Sequence, residues 1–250
     1  MKLAGKKALI TGGTTGIGRG IAIAFAKEGA DIAINYFGTA EEAISVQKEL
    51  EDEYGITVVL VEADITDEQQ VESMIDTAVH ELGKVDILVN SAGILTQMLL
   101  KDMSVNDWDR MIQVNLRGPF LCTKSILPHM IKNNYGRIIN IASQLGQIGG
   151  VELSHYCAAK AGVIGFTKSA AREVGKYGIN INCIAPGPIE TSMIKNLDHA
   201  WKEQKQKSLP IPRFGLVEEV APTAVMLASD PDGNLYTGQT LGPNSGDVML

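Results

Sequence analysis

No stretch of this chain approaches the roughly 18 consecutive apolar residues that suggest a membrane-spanning helix, so none is expected. Residues 1–7 lack the long apolar run of a secretory signal, and the cytoplasm is the expected location. Cysteine is scarce. Cys122, Cys157 and Cys183 are widely spaced and odd in number, which argues against a disulfide framework and for buried, reduced thiols. The four histidines, His80, His129, His155 and His199, show no metal-ligand spacing, so no metal site is expected. Positive charge is also short: 22 Lys and Arg stand against 29 Asp and Glu, a net charge of −7. That balance disfavours nucleic acid and anionic membrane as standing partners. It leaves phosphorylated ligands open, because backbone dipoles at a helix start bind anions whatever the global charge. Linkers, low-complexity segments and repeats are absent too, which leaves one domain spanning residues 1–250.

What is present is an alternation of short apolar runs with longer amphipathic ones. The strand candidates are 8–11, 31–35, 58–62, 85–90, 137–142, 180–185 and 239–241, rich in Val and Ile and apolar almost without a break. Such runs suit strands covered on both faces. Helical period marks 18–27, 41–53 and 67–82 between them, and capping boxes are expected at Thr66–Gln69 and Ser104–Asp107. Repeated β-α-β-α predicts an α/β fold with a doubly wound, seven-stranded parallel sheet and helices on both faces. Two departures are expected. Pro222 should bend its helix in the first turns. The polar stretch 190–213, with Pro210 and Pro212, reads as a lid over a binding site.

The first strand runs straight into Thr11-Gly12-Gly13-Thr14-Thr15-Gly16-Ile17-Gly18 and then a helix. In this position Gly12 permits a tight turn, Gly16 lets the backbone approach a ligand, and Gly18 allows the helix to pack closely on the sheet. The N–H groups at the helix start then face a pyrophosphate. An acidic residue ending the second strand would bond the ribose hydroxyls of NAD, but here Asn35-Tyr36 stands, without a carboxylate. The expectation is NADP(H), with NAD(H) as the alternative. No arginine at Thr14-Thr15 or just after Tyr36 is there to clamp a 2′-phosphate.

Tyr156-Cys157-Ala158-Ala159-Lys160 sets a phenol and an ammonium on one helical face. A free tyrosine titrates near about 10, and an adjacent cation favours the phenolate. Ser143 falls just past the fifth strand, at the carboxyl edge where open α/β sheets bind ligands.

In these residues the chain resembles the short-chain dehydrogenases/reductases. The likeness continues through Asp64, Asn90-Ser91-Ala92-Gly93, Asn115 and Pro186-Gly187-Pro188-Ile189-Glu190-Thr191, in order and spacing, over essentially the whole length. Within the family the chain looks most like the 3-oxoacyl-carrier-protein reductases, through Lys160-Ala161-Gly162-Val163-Ile164-Gly165-Phe166 and Ile34-Asn35-Tyr36. The resemblance implies that Tyr156 is general acid in reduction and general base in oxidation, with Lys160 lowering its pKa and holding the nicotinamide ribose. It implies that Ser143 hydrogen-bonds the substrate oxygen and Asn115 supports a proton-relaying water. Asp64 and Ile65 would flank the adenine, Asn90, Ala92 and Gly93 would line the adenosine ribose, and Pro186, Gly187, Ile189 and Thr191 would hold the carboxamide side. It also implies a homotetramer, to which the small residues around Tyr156 would contribute close helix contacts.

Gln144, Leu145 and Met193 join Ser143 and Tyr156 as expected substrate contacts, with Leu95 beside them. Met193, Ile194, Leu197 and Trp201 read either as core or as the apolar wall of a lid helix. His155 reads as ordinary packing or as an edge of the substrate entrance. Arg110, Arg117, Lys124 and Lys132 are either a solvated face or a docking surface for an acidic acyl carrier. Family-typical Val-Asp-Gly-Gly is replaced near the end by Leu241-Gly242-Pro243-Asn244-Ser245-Gly246-Asp247. Three functions follow: an NADPH-dependent reductase of a 3-oxoacyl thioester or similar β-keto compound, an NAD(P)-dependent dehydrogenase of a small polyol, sugar or hydroxy compound, and a cofactor-binding regulator without turnover. Ser143, Tyr156 and Lys160 are all present, which speaks against the last.

Overall fold

A computed structural model describes residues 1–191 and 199–249. Seven parallel strands form one sheet in the order β3-β2-β1-β4-β5-β6-β7. They are β1 (Lys7–Thr11), β2 (Asp31–Tyr36), β3 (Val58–Glu62), β4 (Ile87–Asn90), β5 (Gly136–Ile141), β6 (Ile179–Ile184) and β7 (Thr240–Leu241). Chain order reverses between β1 and β4, which pair Thr11 with Asn90 at their carboxyl ends. That reversal opens a crevice in which doubly wound sheets bind ligands.

The unbroken apolar strands follow from two cores. Ile10, Ile34, Val89 and Ile139 face α1 (Gly16–Lys27) and α9 (Val217–Ala228) on one side of the sheet. Leu9, Ala33, Leu88, Ile138 and Ile181 face α3 (Glu68–Leu82), α5 (Gly118–Asn133) and α7 (Ser154–Val174) on the other. Alternate side chains of a strand point to opposite faces, so covering both requires apolar residues at every position. Among the described residues the remaining α-helices are α2 (Ala40–Tyr54), α4 (Val105–Ile112), α6 (Leu145–Ile148) and α8 (His199–Ser208).

Several expectations shift in detail. The cap of α3 is Asp67 rather than Thr66, its carboxylate accepting from the Gln69 and Gln70 N–H groups. Ser104 caps α4 as expected, its hydroxyl accepting from the Asp107 N–H at 3.1 Å. Pro222 is the sixth residue of α9, in its second turn. At Gly18 the start of α1 lies close on the ends of β1 and β4, because a Cβ there would meet the Gly12 carbonyl oxygen at 2.3 Å and Ser91 Oγ at 3.2 Å. The close approach of α1 to a neighbouring helix falls at Gly20, where a Cβ would meet Val217 Cγ1 of α9 at 2.0 Å.

Among the described residues, no helix is long and apolar enough to cross a membrane, and no cluster of three or more metal-ligating groups occurs. Cys122 and Cys183 are buried free thiols, pushed up by burial to about 12 and about 11 respectively.

Candidate active site

A cleft of about 970 Å³ runs along the carboxyl edge of the sheet, from the glycine loop at one end to Ser143, Tyr156 and Lys160 at the other. At the loop end Gly12 adopts φ +61°, and a Cβ there would meet Ala92 Cα at 2.9 Å. Thr15 precedes α1 without capping it by its side chain. The first N–H groups of α1 are therefore not satisfied by that residue, as a helix start that receives an anionic group requires. Thr14, Gly16, Ile17 and Gly18 line the same end, with Tyr36, Asp64 and Ile65 further along. These features fit the pyrophosphate and adenosine of a dinucleotide.

Two residues expected to touch the cofactor are committed elsewhere. Asn35 borders the cleft, yet its Nδ2 donates to the Val61 and Ala63 carbonyls at 3.3 and 3.1 Å, and its Oδ1 accepts from the Gly12 N–H at 3.4 Å. It braces the glycine loop against β3 instead of presenting an amide to a ribose. Asn90 does not reach the cleft. Its Nδ2 donates to Asn140 Oδ1 at 2.8 Å and Thr123 Oγ1 at 3.2 Å, and Asn140 in turn donates to Thr167 Oγ1 at 2.8 Å. Facing α5 and α7 rather than the crevice, it ties β4 and β5 to both helices. Asp64 keeps its place but spends Oδ1 on the backbone N–H and the hydroxyl of Thr66.

The reacting end draws on three segments. Ser143 follows β5 and is buried, its Oγ accepting from the Leu145 N–H at 3.1 Å. Tyr156 and Lys160 rise one turn apart on α7, both buried. Asn115, fully buried, lies in a π-helical turn, Gln113–Arg117, between α4 and α5. Its Nδ2 donates to the Ile94 carbonyl at 3.0 Å, and its Oδ1 accepts from the Ile94 N–H at 3.3 Å. Such a widened turn inside a helix recurs at functional sites. Gly93 is squeezed between them: a Cβ there would lie 2.7 Å from Asn115 Oδ1 and 3.8 Å from Lys160 Nζ.

The electrostatics differ from the simple Tyr–Lys picture. Burial pushes the Tyr156 phenol up to about 12, opposed by its hydrogen bond with Ser143. The Lys160 ammonium is brought down to about 8 by its own burial. Its Nζ donates to the Ile141 carbonyl at 2.8 Å and stands 5.7 Å from the Tyr156 ring centroid. In this arrangement the phenol keeps its proton at neutral pH, and the lysine does not lower its pKa.

Gln144, Leu145, Ala92, Pro186, Gly187, Ile189 and Thr191 all line the cleft, as does Leu95, while Met193 lies outside the described residues. Trp201 and Lys205 of α8 also border it, so this helix contributes to the wall. His155 is packing: it is fully buried, with Nε2 2.9 Å from Thr96 Oγ1. Phe37, Glu42 and Lys205 were not anticipated. Phe37, directly after β2, was readable from its strand-end position, whereas Glu42 and Lys205 depend on how α2 and α8 dock.

These findings define a dinucleotide-dependent oxidoreductase. A model of the short chain dehydrogenase family matches residues 6–202. The chain is 41% identical over 244 residues to the 3-oxoacyl-[acyl-carrier-protein] reductase FabG of Staphylococcus aureus, covering 98% of each. It is 40% identical over 248 residues to a 3-oxoacyl-[acyl-carrier-protein] reductase of Synechocystis, covering 99% of each. A crystal structure of a dehydrogenase/reductase from Sinorhizobium meliloti superimposes with a TM-score of 0.92 at 37% identity, covering 98% of this chain and 96% of that one. The chain belongs to the short-chain dehydrogenase family and is an NAD(P)-dependent oxidoreductase acting on the CH–OH/C=O pair.

Proposed function

We propose that the chain reduces a 3-oxoacyl thioester, or a similar β-keto compound, with NADPH. The observation that carries this reading is the meeting of Ser143, Lys160 and a proton-holding Tyr156 at one end of a cleft that starts at the glycine loop. The nicotinamide, when bound, supplies the hydride. Ser143 donates a hydrogen bond to the carbonyl oxygen, and Tyr156 delivers its proton there as negative charge develops. Lys160 would hold the ribose of a bound cofactor, and a water supported by Asn115 would relay protons through Lys160 to the phenolate.

The substrate class is supported by the relatives named 3-oxoacyl-[acyl-carrier-protein] reductases. Arg110 reaches the cleft and suits an acidic carrier, while Lys124 is paired with Glu68 at 2.7 Å and Arg117 donates to the Thr66 carbonyl. NADPH is favoured by the lack of a carboxylate at the end of β2. A second reading, NADH, is favoured by Glu42, which lines the adenosine end without a cation beside it among the cleft-lining residues there. A cytoplasmic homotetramer belongs to the same proposal. Supporting assembly, Phe120 of α5 is exposed against Phe166 of α7, and a Cβ on Gly165 would meet nothing within 4 Å.

The test is oxidation of NADPH and NADH by the purified protein across acetoacetyl thioesters, diketones, and small sugars or aldehydes. Fast NADPH-dependent thioester reduction is expected. The Tyr156→Phe variant should lose at least about 100-fold in kcat/KM, with cofactor affinity nearly intact. Turnover confined to alcohol oxidation of a small polyol, or an unimpaired Tyr156→Phe variant, would overturn the reading.

A further inference from the structure

The atypical C-terminal tail reaches the reacting end of the cleft. Asp247 accepts from Gln144 Nε2 at 2.5 Å and pairs with Lys205 Nζ at 2.6 Å, its side chain only 13% exposed. Gln144 directly follows Ser143, and both Gln144 and Lys205 line the cleft. One turn before Lys205 on α8, Trp201 lines it too. The tail itself is pinned. The Gly187 N–H donates to the Pro243 carbonyl at 3.1 Å, and the Ile211 N–H donates to the Ser245 carbonyl at 3.0 Å. Asp247 thus clamps two cleft-lining side chains from segments 103 and 42 residues away in sequence.

We propose that Lys205 and Gln144, positioned by Asp247, form a polar wall beside the reacting carbonyl that selects short, hydrogen-bonding substituents over long alkyl chains. An apolar wall would reward each added methylene about fourfold in affinity. An alkyl chain laid on this ion pair and amide instead strips water from charged groups and returns no hydrogen bond. The gain per methylene is therefore lost. The proposal rests on the carbonyl-reduction reading above, and it concerns the substituent that lies on the Gln144 side of the carbonyl.

The experiment compares 3-oxobutanoyl and 3-oxooctanoyl thioesters of N-acetylcysteamine. Wild type should have the higher kcat/KM for the shorter. The double variant Lys205→Met, Asp247→Met removes both charges at once, leaving no unpaired buried ion. It should raise the octanoyl-to-butanoyl ratio at least about tenfold, through KM rather than kcat. A ratio unchanged within twofold would overturn the wall. A readout independent of turnover, and of how the double variant folds, is the Trp201 fluorescence of a Trp108→Phe variant, which keeps no other tryptophan, titrated with 3-hydroxybutanoyl and 3-hydroxyoctanoyl thioesters. Tighter binding of the shorter supports the proposal, and equal or tighter binding of the longer overturns it. Preference for the shorter ligand without reduction of any thioester would sink the reductase reading and leave the wall standing.

Discussion

Lys160 holds a charge where the fold resists one, so its removal should stabilise the protein while ending its chemistry. Burial lowers this ammonium from 10.5 to about 8. At about 1.4 kcal/mol for each tenfold change in proton affinity, the charged form costs the folded state about 3 kcal/mol at neutral pH. Lys160→Met keeps the apolar stem and drops the charge, but it removes a donor from the Ile141 carbonyl, which returns about 1–2 kcal/mol of that gain. The net expectation is about 1–2 kcal/mol of added stability at pH 7. In a chain of 250 residues that is a rise in melting temperature of about 2–8 °C. The pH dependence gives the argument its signature. Below pH 8 the lysine is protonated in both states and the full penalty is present. Between about 8 and 10.5 the unfolded chain binds more protons than the folded one, so wild-type stability climbs with pH and the advantage of the variant fades. Denaturant melts of cofactor-free protein at pH 7 and pH 10 would measure both values. A variant less stable than wild type at pH 7, or a difference that ignores pH, would refute the reasoning.

Asn35→Asp should destabilise the fold rather than switch the cofactor. A carboxylate there would face the Val61 and Ala63 carbonyls that the amide now serves, at a cost of about 1–3 kcal/mol, and denaturant midpoints would fall accordingly. An intact midpoint with a clean loss of NADPH use would instead return Asn35 to the ribose. Gly20→Ala should cost a similar amount, about 1–3 kcal/mol, because its Cβ would overlap Val217 of α9, and the loss should appear as faster unfolding or a lower midpoint. An unchanged midpoint would mean that α1 and α9 separate freely.

The sheet was legible because both of its faces are covered, which makes each strand an unbroken apolar run such as Ala8-Leu9-Ile10. The glycine loop and the Ser143, Tyr156 and Lys160 arrangement were legible because their spacing carries the chemistry. Side-chain direction at strand ends was not. Asn35 and Asn90 sit where cofactor contacts belong, yet their amides bond protein groups, a choice made by tertiary packing. The sign of the Tyr156 shift was also hidden, because it is set by burial, which no local motif encodes. Lys205 and Asp247 meet only after α8 and the tail have docked, so neither residue could be paired from sequence.

The wide turn at Gln113–Arg117 has a consequence for helical phase. Residues 105–133 run as consecutive helical segments, but the turn holds one residue more than a regular α-helix would place there. The faces of α4 therefore do not continue into α5, and a regular 3.6-residue wheel drawn across both would misplace the later residues by about 100°. Asn115 owes its reach to Ile94 to that offset. Excising a single residue from this turn is the smallest change that would regularise the helix and swing the asparagine away from Ile94.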